Sequence, residues 1–378
     1  MTAAPKGFPP LTLSDAMRAS DGRSTGFDYL RVGLALSVVC SHSVVTSYGT
    51  DLQSQFLAGP WRSLVGVILP MFFALSGFLV AGSLQRNTLP TFLGLRVLRI
   101  MPALAVEIGL SALLLGPLLT RLPIAEYFAD TRFFSYFLNI TGDIHYFLPG
   151  VFDTNPFPFY VNAQLWTVPF ELECYVLLAI TGIVGIYRNP GLLVFATIVL
   201  HFAWAGHAIL AGHTDGGLGS TVPGNVLALS FLAGVSFYLL RDRVSADWRL
   251  CMGAAALTAI ALQVPFGDYL IPFPVAYLTV CLGLLNPRKR FLLRWGDYSY
   301  GIFLYGFPIQ QFVTGLGPGF HNWAINLALA VPLTVAFAAL SWVTVERPAL
   351  SLRRYVSRLD VLSCLTARLV APLKGSRV

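Results

Sequence analysis

Apolar runs about 20 residues long, separated by short polar breaks, recur from Phe27 almost to the C-terminus. A helix that crosses a hydrocarbon layer of about 30 Å needs about 20 mostly apolar residues. That ruler predicts ten crossing helices, at roughly 27–49, 62–84, 93–119, 164–187, 190–211, 222–240, 249–266, 269–286, 297–315 and 321–345. One connection is long: residues 120–163 hold Phe and Tyr clusters with Pro149, Pro156 and Pro158, and are expected to pack on or dip into the membrane face. The predicted fold class is therefore all-α, a polytopic transmembrane bundle of about ten spans. It divides into an N-terminal segment, 1–26, a transmembrane domain, 27–348, and a tail, 349–378. Residues 1–26 are polar and include Pro9-Pro10, so no cleavable signal is expected and the first apolar run should act as an uncleaved anchor. In the tail, Leu352, Tyr355, Val356, Leu359 and Leu362 recur at helical spacing between Arg353, Arg354 and Arg358, which predicts an amphipathic helix lying among lipid headgroups.

Composition strengthens this picture. Hydrophobic residues make up 56% of the chain and charged ones 11%, against about 25% charged in soluble domains. Lipid contact is the ordinary explanation. The net charge of +7 then has to be read loop by loop, and it does not point to nucleic acid. With the N-terminus inside, only Arg62, Arg121 and Arg132 of the 25 Lys and Arg residues fall outside, where Asp51, Glu126, Asp130, Asp143, Asp153, Asp215 and Asp268 also lie. This positive-inside pattern predicts that both termini are cytoplasmic. Cys40, Cys174, Cys251, Cys281 and Cys364 form no Cys-x-x-Cys pair and read as small apolar residues, not as a disulfide or metal framework.

Ionisable groups inside spans cost about 2.5–3.5 kcal/mol each on insertion scales, so each needs a reason. The first helix carries Asp28, Arg31 and His42. Eleven residues make three turns plus about 20°, so Arg31 and His42 share a face about 16 Å apart along the axis. Asp28 can pair with Arg31 at i,i+3. Arg31 alone would serve as an inner-edge charge and His42 alone as a core histidine; their common face favours function. Arg96 and Arg99 open the third helix at i,i+3 and form a fork for phosphate oxygens, or a positive-inside anchor. Glu107, deeper on that helix, is expected to make an interhelical hydrogen bond. On the fourth helix Glu171 and Tyr175 share a face, and Glu171 lies about as far below the outer surface as His42. The two suit a His–carboxylate pair for base catalysis, with a purely structural polar pair as the other reading. His201, His207 and His213 step about 240° at a time and spread round their helix, so no metal site is expected there. Asn139-Ile-Thr141 matches a glycosylation sequon without carrying weight, and Ser41, Ser43 and Ser76 are ordinary packing residues as well as possible nucleophiles.

Taken in order, these segments resemble the acyltransferase 3 family of integral membrane acyltransferases. Phe27-Asp28-Tyr29-Leu30-Arg31 with His42 is similar to its opening Leu-Asp-x-Leu-Arg and Arg-x10-His. Phe72-Phe73-Ala74-Leu75-Ser76-Gly77-Phe78 resembles its Phe-Phe-x-Leu-Ser-Gly-Phe, and Arg96-x-x-Arg99 with Pro102 its Arg-x-x-Arg segment. Leu165-Trp166-Thr167 through Glu171 to Tyr175 resembles Leu-Trp-Ser-Leu-x-x-Glu. The stretch from Gly296-Asp297-Tyr298-Ser299 to Tyr305, and Glu346-Arg347-Pro348, resemble the closing signatures. One departure stands out: many members have a His two residues before the ninth-helix proline, where this chain has Gly306 before Phe307-Pro308. That leaves His42 as the main catalytic candidate. The hydrolase-like periplasmic domain that some members append is not expected here.

The resemblance implies an acyl-CoA donor, acetyl-CoA by default, acting as co-substrate with no permanently bound cofactor and no metal. Arg31, Arg96 and Arg99 would hold CoA phosphates at the inner mouth, and the arm of CoA, on the order of 15–20 Å, would bring its thioester near His42. His42, assisted by Glu171, would take the proton of an acceptor hydroxyl on a glycan or lipid-linked saccharide, with Asp28, Ser76, Tyr175 and Trp166 in support. The implied location is the bacterial cytoplasmic (inner) membrane. Two rival readings use the same residues: a transporter or flippase with a buried polar relay, and a non-catalytic subunit of a polysaccharide assembly. Inverted repeats would favour the first, and the second has no need of Arg31 and His42 on one face.

Overall fold

The computed structural model describes residues 12–20, 24–211, 222–288 and 296–356. His213, the tail positions Arg358, Leu359 and Leu362, Cys364 and the Pro9-Pro10 segment lie outside them. Among the described residues there is no strand, only the isolated bridges Thr12–Ser245 and Phe147–Tyr160. Each of the ten apolar runs carries a helix: α1 Gly26–Tyr48, α2 Ile68–Arg86, α3 Leu89–Leu110, α4 Val168–Val184, α5 Pro190–Ala211, α6 Gly224–Leu239, α7 Trp248–Ala261, α8 Pro272–Leu284, α9 Ser299–Gly315 and α10 Trp323–Ser341.

Six of these stretches are long and apolar enough to cross a membrane: Gly26–Tyr48, Arg62–Arg86, Leu89–Leu119, Ala163–Val184, Pro190–Ala211 and Trp323–Val356. The other four, α6 to α9, have 16, 14, 13 and 17 residues, or about 20–26 Å at 1.5 Å per residue. That is short of a full hydrocarbon layer, so length alone supports six of the ten expected spans. The chain is a multi-pass membrane protein.

Contacts sort the connections into two ends. At one end the Leu13 amide donates to the Val244 carbonyl at 2.9 Å, the Thr25 hydroxyl to the Pro287 carbonyl, and the Thr91 hydroxyl to the Val356 carbonyl at 3.1 Å. At the other end Arg62 pairs with Asp268 at 2.7 Å, Arg121 donates to Thr154 at 2.9 Å, and Asn155 donates to the Gln311 backbone at 2.9 Å. The alternation read from the sequence puts the same residues on the same two sides.

The connection 120–163 folds over that second end. Two short helices, Ile124–Ala129 and Thr131–Tyr136, bury Tyr127, Phe133 and Tyr136. The Arg132 side chain donates to Asp130 and holds its carboxyl below the usual carboxylate range. Asn139, the sequon asparagine, is fully buried; its amide nitrogen donates to the Tyr136 and His145 carbonyls and its oxygen accepts the His145 amide. It is a loop clasp. Both π-helical turns, Ser111–Leu115 at the end of α3 and Trp342–Glu346 at the end of α10, run into a proline, Pro117 and Pro348. The first leaves the Ala112 carbonyl to the Tyr127 hydroxyl at 2.7 Å, where Gly116 gives the ring room: a Cβ there would sit 1.9 Å from that oxygen.

The closest helix contact joins α2 and α6 through two glycines used reciprocally. A Cβ on Gly77 would fall 2.0 Å from the Phe231 carbonyl oxygen, and one on Gly234 2.1 Å from that of Ala74. In lipid, helices associate by such close backbone packing. Gly77→Ala should therefore cost roughly 1–3 kcal/mol through forced separation, visible as a lower melting temperature in detergent. Gly33→Ala, with nothing within 4 Å of the new Cβ, should leave the melt unchanged apart from its small gain in helix propensity.

Candidate active site

Arginine inside a bundle needs counter-charge, and four elements bring the cluster together. Arg31 on α1 and Arg99 on α3 both reach Asp297, the residue two before α9, at 3.1 and 2.7 Å. Arg99 also reaches Glu346, in the π-turn that ends α10, at 3.4 Å. Asp297 uses its other oxygen to accept from the Ser299 hydroxyl at 2.6 Å and amide at 3.3 Å, which ties the charge to the start of α9. Arg31 thus pairs across the bundle with Asp297, 266 positions along the chain, instead of with Asp28 one turn away. Asp297 sits between two guanidiniums and is shared by both.

Arg96 stands differently. Among the described residues no carboxylate lies within salt-bridge reach of it, its Nε is buried without a hydrogen-bond partner, and its guanidinium faces the Tyr175 ring at 5.9 Å. Tyr175 donates a short hydrogen bond to Glu171, one turn before it on α4, and the Ser76 hydroxyl lies 3.2 Å from the Tyr175 oxygen. Because the Tyr175 proton is committed to Glu171, Ser76 is the donor in that second contact. Arg31, Arg96, Arg99, Ser76, Glu171 and Tyr175 all line one cavity.

His42 lines a second cavity toward the other end, with Ser41, Gln53, Phe157, Gln164 and Trp166. Its ring meets Phe307 edge to face at 5.2 Å, and among the described residues no side chain hydrogen-bonds to it. Leu69, Thr167 and Phe303 line both cavities, so they form a waist between the arginine chamber and the histidine chamber. The shared face of Arg31 and His42 is realised as two adjoining chambers along one helix. The direct His42–Glu171 hydrogen bond expected from matching depth is absent: Glu171 turns toward the arginines and is held by Tyr175. Equal distance from the helix ends does not set rotation about the axis, and rotation decides the contact.

Other expected residues fall into place. Glu107 is buried and accepts from Ser111 and from Asn162, both at 2.7 Å; its partner outside α3 is thus the connection, not another helix. Gly306 packs on α1, where a Cβ would lie 2.6 Å from Val39 Cγ2. A histidine at that position would have to displace Val39, which is the physical side of the departure at the ninth helix. Asp297, Glu346 and Gln164 were not singled out as functional from the sequence, although the first two stand in the closing motifs Gly-Asp-Tyr-Ser and Glu-Arg-Pro.

The sequence matches the family described as an acyltransferase domain over residues 24–346. The chain belongs to the acyltransferase 3 family. It is 28% identical over 363 residues to nodulation protein 10 of Rhizobium leguminosarum bv. viciae, covering 88% of this chain and 95% of that one. It is 26% identical over 352 residues to the O-acetyl transferase of Shigella phage Sf6, covering 86% of this chain and 96% of the relative. No solved structure matches it. An acyltransferase has a chemical use for paired chambers, and this membership decides against the transporter and scaffold readings. In this acyltransferase, Asp297→Asn removes the charge shared by two half-buried guanidiniums, and it should cost on the order of 1–3 kcal/mol, as leaving a hydrogen-bonding group without its partner does. A thermal melt in detergent reads the loss; an unchanged melt would show that the cluster is not a structural tie.

Proposed function

We propose that this acyltransferase moves an acyl group, acetyl by default, from cytoplasmic acyl-CoA to a hydroxyl of a surface glycan or lipid-linked saccharide. The relative named as an O-acetyl transferase supports the O-acyl reading. The observation that carries the rest is the pair of chambers joined at one waist, guanidiniums in the first and an imidazole in the second. In this reading all ten helices pass through the bacterial cytoplasmic membrane, both termini are cytoplasmic, and the arginine chamber opens inward; the positive-inside pattern supports that orientation.

Phosphate oxygens of CoA are anions with several acceptor sites, and a guanidinium offers a planar fork of donors. Arg96 is the anchor, because no carboxylate neutralises it. Arg31 and Arg99, half satisfied by Asp297, complete the cradle. The arm then runs past Leu69, Thr167 and Phe303 and presents the thioester to the His42 chamber. There His42 accepts the acceptor's hydroxyl proton as the oxygen attacks the thioester carbon. The new C–O bond forms, the C–S bond breaks, and the proton passes to the departing thiolate, leaving an ester and free CoA. Neutral imidazole suits this task near pH 7. Glu171 assists from the donor side, fixing Tyr175 against Arg96 and Ser76.

Purified protein mixed with acetyl-CoA and a sugar acceptor tests the reading. His42→Ala should abolish acceptor-dependent CoA release while the protein stays monodisperse; full activity in that variant would overturn the assignment. Arg96→Ala should raise the KM for acyl-CoA about 10- to 100-fold, the range expected for losing a hydrogen bond to a charged group, with the acceptor KM little changed. An unchanged donor KM would make Arg96 an anchor only.

A further inference from the structure

One residue on the lining of the His42 chamber carries a polar atom left without a partner. Pro308 sits inside α9 and has no N–H, so the carbonyl of Leu304, four residues earlier, has no helical donor. Gln164 Nε2 supplies one at 2.8 Å and also points at Asn162 Oδ1 at 3.4 Å. Asn162 cannot turn round, because its own amide nitrogen donates to the Glu107 carboxylate at 2.7 Å and to the Tyr136 hydroxyl at 2.6 Å. Gln164 is locked for the same reason: a flip would set its oxygen against the Leu304 carbonyl. Both amide donors of Gln164 are thus committed, and its Oε1 is fixed as an acceptor. Gln164 is 1% exposed, that oxygen has no protein donor, and the residue lines the His42 chamber. His42 makes no hydrogen bond to it. A buried acceptor of this kind is costly unless a ligand pairs it.

On the reading that this chamber receives the acceptor hydroxyl, we infer that Gln164 binds a second hydroxyl on the same acceptor. The reacting hydroxyl has one proton, and that proton goes to His42. Gln164 Oε1 therefore needs a second donor, and on a sugar the nearest O–H is the hydroxyl on the neighbouring ring carbon. The Glu107–Asn162 pair acts as a positioning device behind it, linking the π-turn of α3 to the acceptor chamber. The specificity that follows is for vicinal diols: secondary hydroxyls with a free hydroxyl beside them, not isolated ones. Sites built to pair a substrate hydroxyl discriminate strongly against its absence.

The test maps esters on the surface glycan of cells with and without the protein, by NMR of the isolated polymer. The expected result is a protein-dependent ester on a secondary hydroxyl whose ring neighbour carries a free one. A protein-dependent ester on an isolated primary hydroxyl overturns the role of Gln164 and leaves O-acyl transfer standing. No protein-dependent ester at all sinks the O-acyl reading itself. Gln164→Met provides the second arm, on purified protein with the polymer so identified: kcat/KM for the acceptor should fall at least about tenfold with the acyl-CoA KM unchanged. Equal acceptor kcat/KM in that variant also overturns the inference. Should Gln164→Met fail to fold, the ester map on the unaltered protein still decides.

Discussion

Positive charge inside a lipid-embedded bundle has to be compensated before anything else can be built, and Asp297 meets that requirement for two helices at once. Its carboxylate lies between Arg31 and Arg99, and Glu346 adds a second counter-charge to Arg99. A half-buried carboxylate shared by two guanidiniums is costly to remove, so α1, α3, the start of α9 and the end of α10 are held in one register. The chamber between them inherits a fixed electrostatic shape. Arg96 lines the same chamber, and among the described residues no carboxylate lies within salt-bridge reach of it.

The outer chamber rests on a different constraint, the accounting of backbone hydrogen bonds. Pro308 frees the Leu304 carbonyl, and Gln164 takes it. Gln311, one turn on, donates to the Phe157 and Tyr160 carbonyls at 2.7 and 2.8 Å. The connection that carries Phe157 and Tyr160 is thereby pinned onto α9. Phe157 stacks on Tyr160 at 4.4 Å and meets Phe307 at 6.1 Å, and Phe307 in turn meets His42. Phe152 and Phe159, with φ of 59° and 70°, hold this loop in a left-handed backbone conformation that non-glycine residues seldom adopt. Strain of that kind persists where surrounding bonds over-determine it, and Asn155 and Gln311 supply those bonds.

Much of this was legible in the sequence, and the boundary of legibility has physical causes. Apolar run length located all ten helices, since burial of apolar residues in lipid is a property of composition. The common face of Arg31 and His42 followed from helix pitch, and the Glu171–Tyr175 contact from i,i+4 spacing; both are local rules. What local rules miss is which distant partner wins. Asp28 is a turn away from Arg31, yet Asp297 takes it, because tertiary packing and not sequence separation sets the distance. The His42–Glu171 pair failed for a related reason: depth along two helices was readable, rotation of each helix about its axis was not. Four helices, α6 to α9, fall short of a full span, and between α7 and α8 the chain turns through Phe266, at a φ of 59°, and the 3-10 turn Gly267–Tyr269. Length rules alone cannot see such turns. The role of Gln164 is not legible locally, because it depends on a proline 144 positions later.

The central claim is a single polar passage with guanidiniums at one end and an imidazole at the other. A cryo-EM structure with a non-hydrolysable thioether analogue of acetyl-CoA tests it most directly. The account predicts CoA phosphates against Arg31, Arg96 and Arg99, with the acetyl end past Phe303 and beside His42. Nucleotide bound elsewhere, or an acetyl end remote from a His42 that faces lipid, would contradict it.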